Sequence, residues 1–146
     1  MNRAEKNVAF WHFYKHYKTG KMDLDKLICI EEKDSKIMAG LAHSYYKWEG
    51  IVNGEIEERK GLDLCGMCKV FDCFDVLDNS KECPFVKLEE RCNDENSIWN
   101  NFKYHSLYRH HNPEDIESIK ELEKEMLHLV MTVCKNHDVV FPEKEK

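Results

Sequence analysis

Residues 112–136, NPEDIESIKELEKEMLHLVMTVCKN, decide the fold class. Asn112 is a good N-cap, Pro113 suits the first helical position, and Glu114 and Asp115 complement the positive end of the helix dipole. Ile116, Ile119, Leu122, Met126, Val130, Val133 and His137 then keep one face for about six turns at the 3.6-residue period. Leu127, Leu129 and Met131 widen that stripe. A helix over about 113–136 is predicted, with an apolar surface broad enough for burial between other helices or for a homodimer contact. Pro142 and the charged tail after it are expected to end in solvent.

Working outward, residues 3 to 18 also read as a helix. Val8, Trp11, Tyr14 and Lys15 follow helical spacing, Phe10, Phe13 and Tyr17 widen the face, and Thr19-Gly20 supplies the stop. Leu24 to Ile30 is short and aliphatic, a helical continuation or a strand. A further helix is predicted from Asp34-Ser35 through Ile37, Met38, Leu41, Tyr45 and Trp48 to Gly50. Asn53-Gly54 is a turn signal, so residues 51–56 form a hairpin tip or an irregular loop. Asp94 to about Tyr108 reads as another helix carrying Ile98, Trp99 and Phe102. The architecture expected is mainly α, a single domain over 1–146, with at most one short β-hairpin beside a cysteine-rich module at about 62–93.

Composition narrows the function classes. Of 146 residues, 42% are hydrophobic and 11% aromatic, enough for a packed core and too rich for disorder. The formal charge of −6 disfavours general nucleic-acid binding, which draws its affinity from cations on phosphates. No apolar run approaches the roughly 20 residues of a membrane span. Met1-Asn2-Arg3-Ala4-Glu5-Lys6 leads into aromatics, not an aliphatic core, so an export signal is not expected. The expected setting is cytoplasmic.

Seven cysteines stand at 29, 65, 68, 73, 83, 92 and 134. An odd number, clustered and in a reducing compartment, fits a disulfide framework badly. Cys65-Gly66-Met67-Cys68 is a knuckle in which a short turn brings two thiolates to one ion, Gly66 giving the backbone freedom. Cys83 and Cys92 can complete a tetrahedral shell. Four thiolates suit zinc and leave no open position, the mark of a structural site. Cys73, in the apolar stretch from Val70 to Leu77, competes for the fourth place or packs as a small hydrophobe. An iron–sulfur cluster is the alternative cofactor, because Cys83-Pro84 matches the end of ferredoxin runs; those runs space their cysteines more tightly, which favours zinc. Five unligated core cysteines are the plainest reading. Cys29 and Cys134 are expected to be buried, and His128, Cys134 and His137 to be packing residues before metal ligands.

One stretch differs in charge from the rest. No acid occurs from Asn96 to Pro113, in a chain with 28 of them. Lys103, His105, Arg109, His110 and His111 alternate there with Trp99, Phe102, Tyr104 and Tyr108. Cations beside aromatics suit a phosphate-bearing ligand with a stackable base. Alternatively, Trp99 and Phe102 are core at helical spacing and the charges keep the surface soluble. Residues 1–22 form a second basic region, with Arg3, Lys6, Lys15, Lys18 and Lys21 against Glu5 alone. There is no Gly-rich phosphate loop, His-Glu-x-x-His or Gly-x-Ser-x-Gly, so nothing points to a named catalytic motif.

The ordered pieces resemble a known group. The aromatic run Phe10-Trp11-His12-Phe13-Tyr14, then Cys65-x2-Cys68, Cys83-Pro84-Phe85, Cys92, Trp99 with Phe102, and the helix around Leu122-Glu123-Lys124-Glu125-Met126 resemble small cysteine-rich proteins of tailed bacteriophages and related mobile elements. The likeness runs from about 8 to 134, and its specific part is 65–92. That group usually carries a second Cys-x2-Cys before the proline; here Ser80 holds the first of those two positions. The resemblance implies an accessory viral protein in a bacterial host, binding and inhibiting a host defence component, either a protein or a nucleotide signal. It implies no reaction. Two other classes stay open: a nucleic-acid-binding zinc module, and a hydrolase using His105, His110 and His111.

Overall fold

The computed structural model describes residues 1–57, 98, 102 and 113–142. Four helices stand among the described residues: α1 (Arg3–Lys18), α2 (Leu24–Ile28), α3 (Lys33–Val52) and α4 (Pro113–Asn136). No strand occurs among the described residues, and the class is mainly α. None of these helices is long and apolar enough to cross a membrane. The cysteine module and the expected N-cap Asn112 lie outside the described residues.

Local signals account for the helix starts. Asn2 and Glu5 form a reciprocal capping box, the Glu5 amide donating to Asn2 Oδ1 at 2.8 Å. The Lys26 amide donates to Asp23 Oδ1 at 2.9 Å, which starts α2. Leu24–Ile28, compatible with strand or helix by composition, is therefore helical.

Three helix ends close in the same way. At α1 the Gly20 amide donates to Tyr17 O and the Lys21 amide to His16 O, with Gly20 at φ +75°. At α3 the Gly54 amide donates to Ile51 O and the Glu55 amide to Gly50 O, with Gly54 at φ +78°. These are Schellman caps, where a left-handed residue turns the chain and covers the last carbonyls. Asn53-Gly54 thus ends a helix and is no hairpin tip. At α4 the left-handed residue is Asp138, at φ 70°. Its amide donates to Lys135 O, and that of Val139 to Cys134 O.

The central element is α3, packed by α1, α2 and α4. Met38, Leu41, Ala42, Tyr45, Trp48 and Ile51 are buried on it, together with Gly40, Ser44 and Gly50. Phe10 and Tyr17 face it from α1, and Ile119, Met126, Val130, Val133 and Cys134 from α4. The buried face of α1 is Phe10, Phe13, Tyr14 and Tyr17, not the side carrying Val8, which is 68% exposed. An aromatic run offers two candidate faces, and the one with more ring area wins the core. On α4, Leu122, Leu127, Leu129 and Met131 pack against the same core. All four are half-buried, so the width that suggested a dimer contact is taken up in part within the chain.

Beyond α4 the chain returns over α1. The Val140 amide donates to Asn7 Oδ1 at 2.9 Å, and Trp11 Nε1 donates to Val140 O at 3.1 Å. Phe141 packs on Tyr45 at 4.9 Å between ring centroids, and on Phe10 and Trp11. Val140 turns its own side chain to solvent, and Pro142 is exposed, as expected.

Candidate functional site

Cys65, Cys68, Cys83 and Cys92 lie outside the described residues, as do Cys73 and the stretch Trp99, Lys103, Tyr104, His105, Arg109, His110 and His111. What the structure describes is how the chain leaves for that segment and where it returns. Departing from α3, Ile56 folds back on Gly50: its amide donates to Gly50 O at 3.0 Å. A Cβ on residue 50 would come within 2.6 Å of Ile56 Cγ1, so only glycine allows the contact. On the return, Ile98 and Phe102 are both helical, one turn apart. Phe102 is fully buried with its ring edge-on to Trp48, centroids 5.0 Å apart. Phe102 is thus a core residue, as helical spacing allowed.

Both anchors sit on the C-terminal half of α3. Beside the first is a cavity of about 410 Å³ lined by Ile51, Ile56, Lys120, Glu123 and Lys124. Glu123 is buried there between two lysines on the same helix. This is the described surface nearest in sequence to the cysteine segment.

The densest polar constellation among the described residues joins α1 to α3. Glu49 accepts hydrogen bonds from the hydroxyls of Tyr14 and Tyr45, the latter at 2.6 Å. Trp11, Tyr14, Tyr45 and Phe141 surround it with ring centroids 4.9–6.0 Å apart. Rings that close fill the space themselves, so the cluster packs as core and leaves no cage for a ligand. Burial, then the hydrogen bond to Glu49 and its charge, push both phenols well above their ordinary range. Neither is a nucleophile near neutral pH. In the sequence these tyrosines read only as apolar-face residues; the signal that was missed is Glu49, four positions after Tyr45 on the same helical face.

A cleft of about 390 Å³ opens between α1, α2 and α3, lined by Tyr17, Met22, Asp23, Asp25, His43 and Tyr46. Its polar groups serve the fold. Tyr17 donates to Ala39 O at 3.0 Å, and its phenol is pushed up by burial. Asp23 caps α2, while Tyr46 stacks on Tyr17 and His43 meets that ring edge-on.

The remaining sequence candidates separate. Cys134 is fully buried, and burial pushes its thiol up, so it packs as a hydrophobe. His128 is exposed and His137 half-buried. Among the described residues no three His, Cys, Asp or Glu side chains gather as a metal-binding group. Cys29, expected to be buried, is exposed. The reason is the brevity of α2: five residues bury Leu27 alone, and the capping position falls outside the core.

On the outer side of α1, the rings of His12 and His16 lie 4.1 Å apart. Loss of hydration, and then the cations His12, Lys21, Lys15 and Lys26, hold His16 below the ordinary imidazole value. Comparison of the chain with family models, curated proteins and solved structures returned no match.

Proposed function

We propose that the chain is a non-enzymatic binding protein, a phage accessory protein that engages a host defence component, either a protein or a nucleotide signal. The scaffold is helical, and the cysteine segment is a zinc-bound module mounted on it. One zinc ion held by Cys65, Cys68, Cys83 and Cys92 would have its shell filled by four thiolates, a donor set that supplies folding free energy and no open position for chemistry. The observation that carries this reading is the spacing of those cysteines, Cys-x2-Cys, then Cys-Pro, then Cys, within 28 residues. The two anchors on α3, Ile56 on Gly50 and Phe102 on Trp48, support a module held at one end of the scaffold. The polar core supports it as well, since Glu49, Tyr14, Tyr45 and Tyr17 are engaged in holding helices together. Lys103 and Arg109 are the proposed ligand contacts, Arg offering a planar fork and Lys a point charge to a phosphate or carboxylate.

Metal analysis of the purified chain should return one zinc per chain, with no visible absorption from iron. Incubation with a bacterial nucleotide pool, followed by denaturation and mass spectrometry, should release an intact ligand. A chemically altered ligand would make the protein an enzyme. Binding of duplex or single-stranded DNA that weakens steeply with salt would make it a nucleic-acid module.

A further inference from the structure

The structure divides the basic N-terminal region into two unlike halves. At one end Arg3 Nε and Lys6 Nζ meet the Asp138 carboxylate at 3.5 and 3.7 Å, and the Met1 amine meets Asp34 at 3.0 Å. At the other end the His12 and His16 rings lie 4.1 Å apart, Lys15 is next to His16 on α1, the Lys21 amide donates to His16 O at 2.9 Å, and Lys26 follows on α2. Among the described residues no carboxylate lies within ion-pair distance of these three lysines. Lys26 Nζ donates to Lys21 O at 2.9 Å, which draws the α2 lysine onto the end of α1. His12, Lys15 and His16 share the helix face opposite Phe10 and Tyr17, with His12 and Lys15 exposed and His16 half-buried.

The helix dipole accounts for part of this gathering. Cations in a last turn offset the negative end, but the effect fades within that turn. Lys21 and Lys26 lie beyond it. Asp23 and Asp25 stand between Lys21 and Lys26 in the sequence, yet among the described residues neither pairs with a lysine ammonium of this group.

We propose that the end of α1 and the start of α2 form a binding site for the phosphate groups of a small ligand, held by Lys15, Lys21 and Lys26 with His12 and His16. These residues lie outside the Lys103–His111 stretch of the sequence and would give the protein a second contact for anions. A small phosphorylated ligand fits better than a polymer. The net charge of −6 repels a long polyanion, and Asp23 and Asp25 bound the positive area along the chain. The two imidazoles alone would suit a transition metal, but three surrounding lysines oppose a cation.

The test is a histidine-resolved NMR titration of the full zinc-loaded chain with inorganic tripolyphosphate. The titration midpoint of His16 is expected to rise by half a unit or more as the anion binds. Lys15→Gln with Lys21→Gln should weaken binding fivefold or more, whereas Lys6→Gln should leave it unchanged. An unmoved His16 overturns the proposal. So does an equal loss in Lys6→Gln, which would reduce the effect to diffuse charge. Zinc perturbing both histidines while tripolyphosphate does not would make the pair a metal clip. A twenty-nucleotide single strand that outcompetes tripolyphosphate for the same lysines would make the partner a polymer. Failure here leaves the Lys103 and Arg109 reading intact, because Lys103→Ala with Arg109→Ala tests it separately.

Discussion

Glu49 ties α1 to α3 because one carboxylate can accept from two phenols at once. Glu49→Gln keeps the shape but replaces one acceptor oxygen with a donor, so one hydroxyl loses its partner. A loss of about 1–2 kcal/mol in urea unfolding is expected, the cost of a buried polar group left unsatisfied. The tyrosines also set an alkaline limit. Tyr14, Tyr45 and Tyr17 titrate above the free phenol value when folded. Their contribution is complete below about pH 10, and it is lost as pH rises from there toward the folded values. Cys134, raised from 9.0, adds a decline that begins about one unit earlier. Urea midpoints between pH 8 and 11 should fall across that window, and less steeply in Glu49→Gln, where the charge and one of the two hydrogen bonds that raise these phenols are gone. A midpoint flat to pH 11 would mean that these groups are solvated as in the unfolded chain. None of this was legible from residue types, since a phenol on an apolar face shows its ring in the sequence and hides its partner.

Helices were the most legible level of the molecule. The span 3–18 follows from the aromatic spacing and Thr19-Gly20, and the span 113–136 from Pro113 and its long apolar stripe. Two things escaped. Periodicity could not choose between the two faces of α1, because that choice depends on what α3 presents to it. The end of α4 was placed correctly, but the cap that closes it was hidden, because it uses Asp138 where glycine is the usual signal. That substitution is explained by Arg3 and Lys6, which meet the Asp138 carboxylate from α1. Two effects therefore oppose each other at one residue. An L-residue in the left-handed region costs roughly 1 kcal/mol, and two exposed ion pairs return about the same together. Asp138→Gly should leave stability within about 0.5 kcal/mol of the parent, relieving the backbone as it removes the pairs. Asp138→Ala keeps the strained φ without the carboxylate and should cost about 1 kcal/mol. Equal unfolding midpoints for the two variants would remove the left-handed cap from the account of how α4 ends.

At the scale of the whole molecule, sequence and structure describe complementary parts. Spacing singled out the cysteine segment, because metal ligation leaves a local signature of thiols at short intervals. Helical spacing marked the apolar faces of the α3-centred core but not which faces meet, because the partners lie dozens of residues apart and join only in three dimensions. That core bears on how the protein should respond to losing the proposed zinc. Phe10, Leu41, Trp48, Met126, Val130 and Val133 bury one another across α1, α3 and α4, and they enclose Phe102 from the return of the segment. Three helices with this much mutual burial hold a hydrophobic core without a cysteine ligand in it, since Cys134 sits there as a thiol. Zinc removal should therefore loosen the segment and pull on the two anchors, Ile56 and Phe102, while the helices stay packed. Cys83→Ser is expected to lose the zinc and to lower the melting temperature by several degrees, yet to keep most of the helical circular dichroism and the protection of α3 amides from hydrogen exchange. Cys134→Ser should do the reverse: it places a hydroxyl in an apolar interior, so it should weaken the core and keep one zinc per chain. If Cys83→Ser abolishes helical signal altogether, the metal nucleates the entire fold and the three-helix core cannot stand alone. If the helices persist and Cys134→Ser is the variant that loses zinc, the ligand set must be redrawn to include α4.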